Sequence, residues 1–240
     1  MIIGGLEKIT LLDFPDKVAA VVFTQGCNFR CHFCYNPLLV IPATAAKQKK
    51  YEKTYSQISE DEFFLFLESR QGKLDGVVIT GGEPTLHSDL PEFIKKIRAL
   101  GFAIKLDTNG SNPLMLEKLL EAGLIDYLAM DLKASFKKYS RLVEVPLDCK
   151  KLEKSVKLVL DSGLPHEFRT TLVPGFIELA DISEMGSIIS GADAWYLQKF
   201  KSDTPLVDRQ LESAPPFKDE EMAAMAAAGG KYVKLCQLRT

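Results

Sequence analysis

The feature that most restricts the fold of this 240-residue chain is an alternation of strand-like and helix-like stretches, repeated about six times. The runs VAAVVFTQG (18–26), GVVITGG (76–82), AIKLDTNG (103–110), DYLAMDLK (126–133), HEFRTTLVPG (166–175) and AWYLQKF (194–200) have strand character. Amphipathic stretches lie between them: SEDEFFLFLESRQ (59–71), LPEFIKKIRALG (90–101), PLMLEKLLEAG (113–123) and CKKLEKSVKLVLDSG (149–163). Ser59 and Glu62 form a capping-box arrangement, and the last three stretches end on Gly101, Gly123 and Gly163, where a helix stop is expected. Strand, helix, strand in succession predicts an α/β fold with a parallel sheet, most simply a full or partial (β/α) barrel. The expectation is a single domain over 1–240, with a core at about 18–200 and a C-terminal extension, 201–240, ending in a last strand, KYVKLCQL.

Lys and Arg total 30 against 32 Asp and Glu, interspersed rather than blocked, so no basic excess argues for nucleic acid as a partner. The start of the chain lacks a basic region followed by a long apolar stretch, and no apolar run approaches a membrane span, which makes the cytoplasm the expected location. The Lys- and Ala-rich segment 41–57 reads as an exposed loop or short helix.

Chemically capable residues sit at the C-terminal ends of successive predicted strands: three cysteines after the first, TGGEP (80–84) after the second, LDTNG (106–110), MDLK (130–133) and FRTTLVPG (168–175). In a parallel barrel that rim is where loops converge to build a site. The cysteines, Cys27, Cys31 and Cys34, have the spacing C-x3-C-x2-C. Three close thiolates can hold three irons of a cubane cluster and leave the fourth iron open, whereas a cluster with no vacant position takes four cysteines. A zinc site completed by histidine fits less well, because His32 adjoins Cys31, His87 and His166 are distant in sequence, and zinc sites usually use paired C-x2-C turns.

C-x3-C-x2-C with aromatic Phe33 before the last cysteine, followed about fifty residues later by GGEP, resembles the radical S-adenosylmethionine (SAM) superfamily. LLDFPDKVAAVVFTQGCNFRCHFCYNP, GGEPTL, LDTNGS and MDLKA together resemble the activating enzymes of glycyl radical enzymes, especially those of anaerobic ribonucleotide reductase. The resemblance implies a partial (β/α)6 TIM-like barrel and an oxidoreductase with two cofactors, a [4Fe–4S] cluster held by Cys27, Cys31 and Cys34, and SAM on the open iron. Gly81, Gly82 and Glu83 would meet the SAM amino group, and Phe33 or Tyr35 would lie near the adenine. Lys133 would partner the SAM carboxylate or ribose beside Asp131, and Asp107 would help form a cation-binding pocket, as in related activases. Each has a plainer reading: GGEP as a turn, and Asp107 and Asp131 as helix caps or partners of Lys105 and Lys133. Arg169 reads equally as a partner of one of those aspartates or as a contact to the SAM carboxylate.

The implied chemistry is reductive cleavage of SAM to a 5′-deoxyadenosyl radical, which takes hydrogen from a glycine Cα of a partner glycyl radical enzyme such as anaerobic ribonucleotide reductase. Only Cys149 and Cys236 remain outside the motif, too few for a second cluster, so the electron is expected from an external donor such as flavodoxin or ferredoxin. Where some activases place a histidine after the sixth strand, this chain has YLQKFK. A small-molecule or peptide substrate, a non-catalytic iron–sulfur or zinc module, and a structural barrel with incidental thiols are the alternatives.

Overall fold

The computed structural model describes residues 1–40 and 57–239, so the predicted loop at 41–57 lies, except for Gln57, outside the described residues. The strands form an eight-stranded sheet in chain order. Contacts divide the chain into two compact units.

The first unit comprises Met1–Asn28, Leu38–Thr108 and Leu114–Leu128. It opens with β1 (Ile3–Thr10), antiparallel to β2 (Ala19–Thr24) with Leu6 opposite Val22. β3 (Gly76–Gly81) then runs parallel to β2, pairing Val78 with Val21, and β4 (Ala103–Thr108) runs parallel to β3, pairing Ile104 with Val77. Val77, Val78 and Ile79 are all fully buried, as expected of a strand covered on both faces. Phe14 closes one end of this sheet by packing with Ala19, Val21 and Val78. Helix α1 (Pro37–Val40) follows the cysteine stretch. Helix α2 (Glu60–Glu68) starts where the sequence places it: Ser59 Oγ accepts the Glu62 amide, and three carboxylates fill the first turn. It packs on α3 (Leu90–Ala99) through Phe63 stacked on Phe93, ring centres 5.3 Å apart. Helix α4 (Pro113–Glu121) leads to β5 (Tyr127–Asp131), whose last three residues fall in the second unit.

The second unit comprises Phe29–Pro37, Asn109–Pro113 and Ala129–Thr240. Here β6 (His166–Leu172), β7 (Ala194–Lys199) and β8 (Leu235–Arg239) are parallel neighbours. Trp195 on β7 is fully buried and donates its indole N–H to Thr170 Oγ1 on β6 at 2.9 Å, which satisfies the polar end of a large apolar side chain. Helices α5 (Phe136–Val143) and α6 (Cys149–Asp161) precede β6, and α8 (Asp219–Gly229) packs against α7 (Leu179–Ile188), β7 and β8.

All six predicted strands and the last one are present; the six are each shorter at the C-terminal end than the motif that defined them, whereas the last starts later and runs one residue further, to Arg239. β1, α1, α5, α7 and α8 are additions to the sequence reading. The extension 201–240 contributes α8 and β8, so it completes the sheet rather than trailing from it.

Candidate functional site

In the first unit the backbone leaving β2 is pinned from two sides. Gly26 donates to Leu39 O at 2.8 Å and Gln25 Nε2 donates to Leu38 O at 2.9 Å. From β3, Gly82 N donates to Thr24 O at 2.9 Å and Glu83 N to Gly26 O at 2.8 Å. The approach is so close that a Cβ on Gly82 would lie 1.9 Å from Gly26 O, and Gly81 has a φ of +118°. The glycine pair is therefore required by the backbone that delivers Cys27, a reason the sequence alone does not disclose.

Glu83 is 1% exposed and caps the short 3-10 turn Pro84–Leu86. Its Oε1 accepts from the Thr85 amide at 3.1 Å, from the Thr85 hydroxyl, and from the Thr108 hydroxyl at 2.7 Å. The turn reading of GGEP is thus realised, with a buried carboxylate held by donors from two strand ends. Thr85 and Thr108 escaped the sequence reading although both lie inside its motifs. His87 escaped it too; its Nε2 lies 3.0 Å from Gln25 O, bracing the residue two before Cys27.

Asp107 bonds the Lys105 ammonium at 2.7 Å, with the side chains only 8% and 1% exposed. Two residues apart on one strand, they share a face, and Lys105 also lies over the Tyr127 ring. Where the resemblance implies a cation-binding pocket, Asp107 already holds a cation supplied by the chain.

In the second unit Cys31 and Cys34 share one turn, Cys34 N donating to Cys31 O at 3.1 Å. Helix α5 and the segment after β7 anchor that turn: Arg30 N donates to Val143 O at 2.9 Å, His32 N to Leu142 O at 3.3 Å, and Asp208 N to His32 O at 2.9 Å. His32 Nδ1 also meets Asp208 Oδ2 at 3.0 Å, which engages that ring nitrogen with a carboxylate. Phe33 is buried, with Lys133 Nζ 5.6 Å from its ring centre. Tyr35 accepts the Lys201 amide on its hydroxyl at 2.9 Å.

Beside Cys31, Asp131 at the end of β5 bonds Lys133 Nζ through one oxygen and Arg169 Nε through the other, each at 3.0 Å. Both plain readings, of Asp131 with Lys133 and of Arg169 with an aspartate, are met. Burial opposes ionisation of Asp131, but Lys133 and Arg169 outweigh it and hold the carboxyl well below the usual range. Burial also works against the charge on Lys133, and Asp131 outweighs that. The trio carries one net positive charge. Burial pushes the Cys31 thiol up to about 11, while Lys133 pulls the other way. Cys31 is thus a neutral thiol next to a cation that favours the thiolate.

None of the five cysteines is in a disulfide, and among the described residues no three His, Cys, Asp or Glu side chains form a ready metal group. Cys27 belongs to the first unit, and Cys31 and Cys34 to the second. Within the second unit the chemistry of the donors suits iron–sulfur ligation: Cys31 and Cys34 are thiols on one turn, with a net cation beside Cys31 to balance an anionic group. Among the described residues no helix is long and apolar enough to cross a membrane.

The model of the radical SAM superfamily matches residues 21–182. A Methanocaldococcus jannaschii protein named as a glycyl-radical enzyme activating enzyme is 30% identical over 244 residues, covering 100% of this chain and 96% of its own. A pyruvate formate-lyase-activating enzyme of Listeria monocytogenes is 29% identical over 174 residues, covering 68% of this chain and 59% of its own. The solved structure of Streptococcus suis SuiB bound to S-adenosylmethionine matches with a TM-score of 0.61 at 14% identity, covering 92% of this chain and 52% of that one. The chain therefore belongs to the radical SAM superfamily, enzymes of partial TIM-barrel fold that use a [4Fe–4S] cluster and SAM.

Proposed function

We propose that this protein activates a glycyl radical enzyme, with anaerobic ribonucleotide reductase as the partner its motifs most resemble. The observation that carries this reading is the full-length match to a chain named for glycyl-radical enzyme activation, which spans every rim motif. Cys27, Cys31 and Cys34 hold the cluster in this reading. When bound there, the cluster and SAM would together supply the one-electron chemistry for hydrogen abstraction from a glycine Cα of the partner.

The protein's own residues bind and orient. Lys133 and Arg169, gathered by Asp131, present positive charge to the SAM carboxylate. Glu83, fixed by Thr85 and Thr108, presents negative charge to the SAM amine, with the strand end at Gly81 and Gly82 giving backbone contacts. Phe33 and Tyr35 offer aromatic faces to the adenine. The electron comes from an external donor of the flavodoxin or ferredoxin type, and the reaction is cytoplasmic.

Anaerobic reconstitution followed by iron analysis and product chromatography tests the reading. About four irons per chain, lost in each of Cys27→Ala, Cys31→Ala and Cys34→Ala but kept in Cys149→Ala and Cys236→Ala, is the expected result, with release of 5′-deoxyadenosine and methionine. A loaded cluster with no SAM cleavage under strong reductant would overturn it, and cleavage stimulated by a metabolite rather than a protein would move the substrate to a small molecule.

A further inference from the structure

We infer that Tyr139, on α5, is a positioning residue that fixes Lys133 against the cysteine turn and so presents its ammonium to the SAM carboxylate. The inference rests on the reading above that Lys133 meets that ligand.

Tyr139 is fully buried near the start of α5. Helix side chains lean toward the N-terminus, so Tyr139 reaches back over the segment that enters the helix. Its hydroxyl donates to Asp131 O at 3.2 Å and accepts the Lys133 amide at 3.3 Å. β6 grips the same segment from another side: Leu132 N donates to Arg169 O at 2.9 Å, and Thr170 Oγ1 donates to Leu132 O at 2.6 Å. The buried Trp195 indole in turn donates to Thr170 Oγ1 at 2.9 Å. Each of the two peptide planes between Asp131 and Lys133 is thus bonded at one end to β6 and at the other to the one phenol. A rigid plane bonded at both ends is fixed, whereas one bonded at a single end pivots about that bond.

The same helix carries the cysteine turn, because its Leu142 and Val143 carbonyls accept the His32 and Arg30 amides. α5 therefore sets Lys133 and Cys31 relative to each other, with the Lys133 ammonium 3.0 Å from Asp131 Oδ2 and 5.6 Å from the Phe33 ring centre. Tyr139→Phe keeps the ring and its edge contact to Phe29, 6.2 Å between centres, but removes both bonds of the hydroxyl. The planes then pivot on their β6 bonds, and Lys133 samples several orientations. SAM must re-order it on binding, which lowers affinity without removing any group that touches the ligand.

The test combines SAM affinity of anaerobically reconstituted protein, by equilibrium binding, with hydrogen exchange of single amides in the same protein without SAM. Tyr139→Phe should keep its iron, bind SAM about fivefold more weakly, the effect of losing a neutral hydrogen bond, and expose the Lys133 amide to faster exchange. The Leu132 amide, still on Arg169 O, should exchange at the wild-type rate, which a general loosening of the fold would not allow. The double variant Tyr139→Phe/Lys133→Met should bind SAM as Lys133→Met alone does, because the hydroxyl acts through Lys133. A merely structural tyrosine would weaken both backgrounds equally. The wild-type exchange measurement keeps the test decisive if Tyr139→Phe fails to fold: a Lys133 amide exchanging as fast as an unprotected one overturns the inference, and a protected one supports it. Wild-type affinity in Tyr139→Phe, unchanged exchange at Lys133, or a further loss in the double variant overturns the inference alone. Wild-type protein that carries its cluster yet binds no SAM overturns the functional reading, and this inference with it.

Discussion

Replacing Gly82 by alanine puts a methyl group 1.9 Å from Gly26 O and 2.5 Å from Gly26 C, both backbone atoms. Ordinary contact begins at 3.4 Å, so the two chain segments must part by about 1.5 Å. The expected cost combines overpacking of about 1–3 kcal/mol with loss of the Glu83–Gly26 hydrogen bond at about 0.5–1.5 kcal/mol, or about 1.5–4.5 kcal/mol in all. Gly101→Ala is the control: φ there is +92° with nothing within 4 Å of the new Cβ, leaving only a left-handed backbone penalty of about 1–2 kcal/mol. Urea unfolding of metal-free protein followed by circular dichroism compares the two midpoints, with the slope checking that the unfolded state is unchanged. Gly82→Ala should also reduce iron uptake, since the segment it displaces carries Cys27. A Gly82→Ala midpoint no lower than that of Gly101→Ala would refute the argument that the glycine pair exists for this backbone approach.

Two further outcomes follow from buried charge. Lys105→Met strips Asp107 of its lysine and should destabilise the metal-free protein by about 3–5 kcal/mol, with Asp107→Asn on top restoring much of the loss in the same urea assay. Asp131 has a folded-state value depressed to about 2 by Lys133 and Arg169 against the opposing effect of burial, so its contribution is present above its ordinary value and lost as pH falls toward 2. Asp131→Asn should therefore flatten the acid limb of stability below pH of about 4, and an unchanged limb would contradict the assigned pairing.

The strands were legible because buried parallel strands must be β-branched runs, and GVVITG or AAVVFT admits few other structures. β1 was not, since IGGLEKIT carries a glycine pair and adjacent charges; it becomes a strand because β2 offers it an antiparallel edge. α7 was hidden by Gly186 in its last turn, which lowers local helix propensity. At the site, the thiols, the GGEP turn and the charged strand ends could be found from spacing. The donors to Glu83, the bracing of Gln25 by His87 and the pairing of Glu167 with Arg239 join residues 25, 62 and 72 positions apart. Such contacts depend on which side chains share a face after folding, and spacing along the chain does not encode that.

The most direct test of the account mixes reduced, reconstituted protein with SAM and the anaerobic ribonucleotide reductase of its own organism, labelled with deuterium at glycine Cα. A glycyl radical signal in electron paramagnetic resonance, with deuterium recovered in 5′-deoxyadenosine, is the predicted result. SAM turnover without a radical on that reductase, or on any other glycyl radical enzyme the genome encodes, would contradict the activating role and leave the superfamily assignment standing alone.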